Sequence, residues 1–183
     1  VERVYKLTSL PTEAGGELWS PDGKNVLFTS DVYPECDGQP DEVACNAKKL
    51  DEANKSKVKA QIFTHLLYRH WNAYKEGKRS HIFLVPVLTQ VHVYHDLTPG
   101  DYDAPVFSLG GQDNYAFSPD GQEICYTSNH DKNPAASTNN DLWIVPVNVA
   151  TDHVGTAASA IQVLAQTRNI TADNPASDST PLY

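Results

Sequence analysis

One stretch occurs twice and limits what the chain can fold into. Trp19-Ser20-Pro21-Asp22-Gly23-Lys24-Asn25-Val26-Leu27-Phe28-Thr29-Ser30 returns as Phe117-Ser118-Pro119-Asp120-Gly121-Gln122-Glu123-Ile124-Cys125-Tyr126-Thr127-Ser128, 98 positions later, with six of the twelve positions identical. The other positions keep their aromatic, polar or apolar character. Such self-similarity marks a structural unit that is used again. Within it, Pro presets φ, Asp tolerates the next turn position, and Gly takes the positive φ that closes a type I turn with a bulge. Short apolar runs follow, Val26-Leu27-Phe28-Thr29 and Ile124-Cys125-Tyr126-Thr127, so each copy reads as strand, tight hairpin, strand.

The repeat extends beyond the hairpin. Ile82-Phe83-Leu84-Val85-Pro86-Val87 matches Leu142-Trp143-Ile144-Val145-Pro146-Val147. Pro21 and Pro86 are 65 positions apart, Pro119 and Pro146 only 27, so the first copy carries an insertion of 38 residues. The lean copy holds four short strands within roughly 35–40 residues, the size of a propeller blade. A third copy is expected to begin where Asn169-Ile170-Thr171 repeats the order of Asp96-Leu97-Thr98, and the chain stops at Tyr183, where another Ser-Pro-Asp-Gly is expected. The predicted fold is therefore all-β: part of a β-propeller with two four-stranded blades, the start of a third, and a helical insertion in the first. The predicted units are 1–87, with the insertion at 31–79, then 88–147, then 148–183.

The insertion is the one helical part. Asp41 or Asn46 can cap a helix, and Ala44 to Val58 is rich in Ala, Lys, Leu and Glu without Pro or Gly. Residues 60–74 are apolar and aromatic; their end reads as a strand pairing with 80–87, and 60–67 is open between helix and strand. Residues 4–10 read as a β-like opening run, and the Asn-, Asp-, Ser- and Pro-rich stretch 130–140 as a loop.

Composition excludes some partners. A formal net charge of −9 argues against nucleic acid and anionic membrane, which both require a basic face. No apolar run approaches the ~20 residues of a membrane helix. The chain has no Met and opens on Val1-Glu2-Arg3-Val4 without a signal-peptide core, so a processed or excised piece is expected. Cys36 and Cys45 lie nine positions apart in a polar loop, where a disulfide in an exported protein competes with two free thiols; Cys125 falls inside a predicted strand.

The chemistry-bearing motifs are few. There is no Gly-x-Ser-x-Gly elbow, no His-Glu-x-x-His, no P-loop and no Gly-x-Gly-x-x-Gly, and nothing calls for a cofactor. Seven histidines are scattered, and His92, His95 and Asp96 form the one close group; a polar edge between units is the favoured reading there, over a metal site. No residue is assigned a catalytic role. Substrate-binding assignments fall on Arg69, His70 and Trp71: Arg69 as partner for a carboxylate or carbonyl, Trp71 as pocket wall, against a structural reading in which Trp71 fills a core. Glu35, with Asp37, Asp41 and Glu42, forms an acidic loop able to hold a substrate ammonium, against a reading as solvated loop.

Taken together, Phe28 to Cys36, Lys55 to Ala60, Leu67-Tyr68-Arg69-His70-Trp71, Gly77 to Phe83, Leu97-Thr98-Pro99-Gly100-Asp101, Tyr115 to Gly121 and Asp141-Leu142-Trp143 resemble a known pattern. The chain resembles the N-terminal β-propeller of bacterial prolyl oligopeptidase-family serine peptidases, in the dipeptidyl-peptidase-five and acylaminoacyl-peptidase-like branch. The resemblance implies a parent that removes short pieces from peptide N-termini. It implies a Ser-Asp-His triad in an α/β-hydrolase domain after the propeller, and a propeller that admits only short or unfolded peptides. None of the triad maps onto this chain, so the chain alone is expected to be inactive. The implied partners are a peptide substrate and that hydrolase domain. The implied location is the periplasm or the exterior. A TolB-like, non-enzymatic periplasmic propeller that binds proteins is the competing reading, and self-association into a homo-oligomer is a further expectation for an open blade array.

Overall fold

A computed structural model describes residues 4, 6–70, 72–87, 94–106, 114–147 and 166–183. The repeat is built as its turn chemistry dictates. In the first copy the Ser20 Oγ donates to Asp22 Oδ1 (2.7 Å) and accepts from the Asn25 amide (2.9 Å), while the Gly23 amide donates to the Ser20 carbonyl (2.9 Å). In the second, Ser118 Oγ donates to Asp120 Oδ1 (2.7 Å) and accepts from the Glu123 amide (3.0 Å), and the Gly121 amide donates to the Ser118 carbonyl (2.8 Å). Both glycines sit at φ 70°, the left-handed region that Gly enters freely. Hydrogen bonds to Asp22, from the Ser20 hydroxyl first and then the Lys24 amide, pull its carboxyl down to about 2; the Asp120 carboxyl is lowered in the same way. We expect Ser118→Ala to cost about 1 kcal/mol in urea unfolding, the usual net worth of such hydrogen bonds.

Each turn joins the first two strands of a four-stranded antiparallel sheet in which the order in space follows the order in sequence. The first sheet contains β1 (Gly15–Trp19), β2 (Asn25–Val32), β5 (Arg79–Pro86) and β6 (His95–Asp96). The second contains β7 (Tyr115–Phe117), β8 (Glu123–Ser128), β9 (Asp141–Pro146) and β10 (Arg168–Asn169). The last strands repeat one wiring. The Ile82 amide donates to Thr98 Oγ1 (2.8 Å) as the Leu142 amide does to Thr171 Oγ1 (2.9 Å). The Leu97 amide donates to the Ile82 carbonyl (2.8 Å) as the Ile170 amide does to the Leu142 carbonyl (2.9 Å). Thus 168–169 closes the second sheet as 95–96 closes the first.

The sheets pack face to face. Leu27, Ile82, Leu84 and Leu97 of the first meet Tyr115, Phe117, Ile124, Tyr126 and Val145 of the second in one buried cluster. The Tyr115 hydroxyl donates to the Gly16 carbonyl across the joint, and a side-chain carbon placed on Gly121 would lie 3.5 Å from Pro21 Cδ, so the two turns are neighbours. The opposite face of the first sheet is covered too: Val26, Phe28, Val32, Phe83 and Val85 form a second cluster, with Phe28 and Phe83 in register and their rings stacked at 5.4 Å. A sheet buried on both faces reads as unbroken apolar runs, which is why Val26-Leu27-Phe28 and Ile82 to Val85 show no alternation.

Several expectations are corrected. Residues 6–10 are not a strand; Leu7 and Leu10 instead lie over the outer face of the first sheet. The insertion's helix, α1, is Glu42–Lys55, capped by Asp41, whose side chain accepts from the Ala44 amide (2.8 Å), so it starts and stops earlier than Ala44 to Val58. Residues 56–68 are neither helix nor strand. The aromatic segment does not pair with 80–87: β3 (Arg69–His70) pairs with β4 (Ala73–Tyr74) as a separate ribbon, because β2 and β6 already occupy both sides of β5. The 130–140 loop contains one 3-10 turn, Pro134–Ala136.

Candidate functional site

Two features gather the chemistry-bearing residues, and both lie where the insertion meets the first sheet. One is a buried charge cluster. His81, on β5, is fully buried; its Nδ1 is 2.6 Å from Asp96 Oδ2 and its Nε2 is 2.9 Å from the Gly100 carbonyl. A carbonyl only accepts, so Nε2 carries a hydrogen, and the Asp96 carboxylate accepts from Nδ1. Asp37, from the insertion, accepts from the Gly100 amide at 2.8 Å. Burial alone would lower the His81 pKa, but the charge and hydrogen bond of Asp96, the charge of Asp37 and the Gly100 carbonyl hold it up at about 9. Burial, then the Asp96 charge, raises the Asp37 pKa; burial raises that of Glu42 also, against the Gly38 amide that donates to it.

Ligand atoms of Asp37, His81 and Asp96 lie within 4.8 Å of one another. Both imidazole nitrogens are already engaged as donors, however, so the arrangement is that of an imidazolium held between the Asp96 carboxylate and the Gly100 carbonyl, with the Asp37 carboxyl close by. It fastens the insertion to the 97–101 loop. The second copy has Asp141 and Asn169 at the same places, joined by a 2.8 Å hydrogen bond, with no histidine. The titratable version belongs to the copy that carries the insertion.

The sign of the pH dependence follows. A His whose pKa is raised on folding contributes stability below its unfolded value of ~6.5, lost as pH rises through the folded value. A carboxyl raised on folding likewise loses stability as pH rises. Asp37, Glu42, Asp96 and His81 face one another, with the Tyr102 phenol beside them, and His81, Asp37 and Glu42 all push in one direction. Thermal stability is expected to fall as pH rises from about 6 to about 9. Asp37→Asn keeps an acceptor for Gly100 and removes one buried charge; melts across that range should show a flatter profile and a higher midpoint at pH 8. A steeper profile would contradict the account.

The other feature is a groove of about 500 Å³ beneath residues 62–68. Ile62, Phe63, Leu66, Leu67 and Tyr68 form its apolar wall, and Lys75, Lys78, Arg79, Asp101 and Glu35 its polar floor and rim. Phe63 stacks on Tyr68 (4.0 Å) and Tyr74 (5.7 Å). Lys75 Nζ bonds Asp103 at 2.8 Å, and Arg79 bonds Asp101 at 2.8 Å with Asp103 at 3.5 Å.

The residues singled out from the sequence divide between these features. Glu35 reaches the groove rim, where Lys49 lies 3.4 Å away. Asp37, Asp41 and Glu42, its acidic companions, are engaged instead in the bond to Gly100, the helix cap and the bond to Gly38. Arg69 is exposed on β3 outside the groove lining, the His70 backbone pairs with Ala73, and Trp71 lies outside the described residues. Cys36 and Cys45 form a disulfide that ties the 3-10 turn Pro34–Cys36 to the first turns of α1. His95 is buried, which lowers its pKa, and its neighbour Asp96 bonds His81 instead; His92 lies outside the described residues. Sequence reasoning missed His81, Lys75 and Lys78 as site residues. The signal available was the clustering of cations in Lys75 to His81 directly after an aromatic run.

These features define an all-β protein of two packed antiparallel sheets with one helical insertion. No family model matches the chain. It is similar to Dipeptidyl-peptidase 5 of Porphyromonas gingivalis, 30% identical over 151 residues, covering 75% of this chain and 19% of that protein. It is also similar to Dipeptidyl-peptidase 5 of Porphyromonas endodontalis, 27% identical over 150 residues, covering 80% of this chain and 20% of that protein. The chain thus spans about a fifth of the length of the curated relatives it matches.

Proposed function

We propose that the two sheets are adjacent blades of a β-propeller that governs peptide access in a serine exopeptidase removing dipeptides from peptide N-termini. The observation that carries this is the pair of sequential four-stranded meanders, packed face to face with their Ser-Pro-Asp-Gly turns side by side, in a chain similar to two dipeptidyl peptidases. Successive blades of a propeller stack in this way around an axis. In this reading the blades do no bond-breaking. The nucleophile and its partners belong to an α/β-hydrolase domain of the same protein, and the blades restrict entry to short or unfolded peptides. The Cys36–Cys45 disulfide supports a periplasmic or secreted location, since such bonds persist in oxidising compartments.

The test is hydrolysis by the full-length protein. Dipeptidyl anilides with a free amino group should be cleaved, N-acetylated ones should resist, and the rate on longer peptides should fall steeply once they fold. Equal cleavage of folded proteins and short peptides would remove the gating role.

A further inference from the structure

We infer that the groove beneath residues 62–68 binds a short peptide by its terminal carboxylate, with Lys78 as the anion partner and Phe63 and Tyr68 as the platform for the adjoining apolar side chain. This rests on the reading that the protein handles peptides, and adds where and by which end one is held.

Three cations share one floor of the groove. The side chains of Lys75, Lys78 and Arg79 are 17%, 19% and 19% exposed, so each is largely withdrawn from water. A charge withdrawn from water requires a partner. Lys75 and Arg79 have theirs, at 2.8 Å to Asp103 and Asp101. The Lys78 ammonium makes no hydrogen bond among the described residues; its ion pair with Glu76 is 3.9 Å long, and Glu76 is itself half exposed. Lys78 is therefore the cation on that floor without a close acceptor, in a chain of net charge −9 whose other carboxylates at this groove are engaged: Asp101 with Arg79 and Glu35 with Lys49.

The wall defines the rest of the ligand. Ile62 is 90% exposed, and Leu66 and Leu67 are more than half exposed, an apolar surface that a soluble protein seldom leaves uncovered without use. The Phe63, Tyr68 and Tyr74 rings are stacked nearly parallel, and Phe63 and Tyr68 of this stack line the groove with aromatic surface. A volume of about 500 Å³ is within the usual range for small-ligand sites. An apolar side chain beside a carboxylate is the chemistry of a peptide's last residues. One uncommitted ammonium, a point charge beside an apolar platform, matches a single carboxylate better than a multiply charged phosphate.

The experiment measures binding to the full-length protein of three probes: acetyl-Ala-Phe with a free carboxylate, its carboxamide, and acetyl-Phe-Asp carboxamide. The free terminal carboxylate is expected to bind about tenfold more tightly than the amide, one charge-assisted contact. Lys78→Gln should abolish that gap, and Phe63→Ala should weaken all three probes alike. Equal affinity for acid and amide, or a gap that persists in Lys78→Gln, overturns the inference. Preference for the Asp side chain over the terminal acid assigns the site to acidic residues and overturns the terminal assignment. Dipeptide release assayed in parallel separates the two ideas: release without acid-selective binding sinks this inference alone, and acid-selective binding without release sinks the exopeptidase reading alone.

Discussion

Replacing His81 by Leu should destabilise the protein by about 3–5 kcal/mol, the range seen when one partner of a buried charge group is removed. The substitution takes away the cation that faces Asp96 and Asp37, and leaves the Gly100 carbonyl without its donor. Two carboxylates then remain near each other in a poorly solvated space, with Glu42 close by. Total stabilities of domains run to about 5–15 kcal/mol, so the variant should stand near its unfolding threshold at ambient temperature. Equilibrium urea unfolding, read by tryptophan fluorescence, measures the loss. The second copy supplies a control, because its Asp141–Asn169 pair holds the same strands without a histidine. Installing that pair by His81→Asp with Asp96→Asn should recover part of the loss. It should not recover all, since Asp is too short to reach both its neighbour and Gly100. A loss below about 1 kcal/mol in His81→Leu would mean that the cluster is no more than a surface ion pair in its effect.

Leu84→Ala is the second large effect expected, about 2–5 kcal/mol from lost burial and the cavity left behind. Leu84 is fully buried at the centre of β5, opposite Leu27, and its cluster continues into Ile124, Tyr126 and Val145 of the second sheet. The cavity would open between two sheets held in place by their own ladders, which limits collapse and favours the upper part of that range. A contrasting substitution in the insertion, Ile62→Ser, should change stability by less than about 0.5 kcal/mol, because Ile62 is already in water. Thermal melts of the two variants side by side read the difference. If Leu84→Ala melted like the parent, the two sheets would not share a core.

What the sequence disclosed follows from how local the physics is. Ser-Pro-Asp-Gly turns satisfy their own side chains within five residues, so both hairpins were legible, and with them the strands that leave each turn. The match of Leu97-Thr98 to Ile170-Thr171 was legible for the same reason, since each Thr hydroxyl repeats one bond to the strand beside it. The α1 cap at Asp41 also lay within reach of local reasoning. Residues 60–74 did not. Their apolar and aromatic content leaves 60–67 open between helix and strand and points their end at 80–87, but Phe63, Tyr68 and Tyr74 stack on one another and the short ladder of Arg69–His70 with Ala73–Tyr74 pairs within the insertion itself. The buried cluster was illegible too, because Asp37, His81 and Asp96 come from three separate segments and Asp37 meets Gly100 across 63 positions. His81 looks like one scattered histidine among seven until the fold sets Asp96 on its Nδ1 and brings Asp37 near it.

The most direct test of the central claim is the intact mass of the protein purified from its source, measured beside release of dipeptides from chromogenic substrates. The expected result is a mass several times 20.1 kDa and release that a serine-directed inhibitor abolishes. A folded, inactive protein of 20.1 kDa would contradict it and leave these sheets as a binding module in their own right.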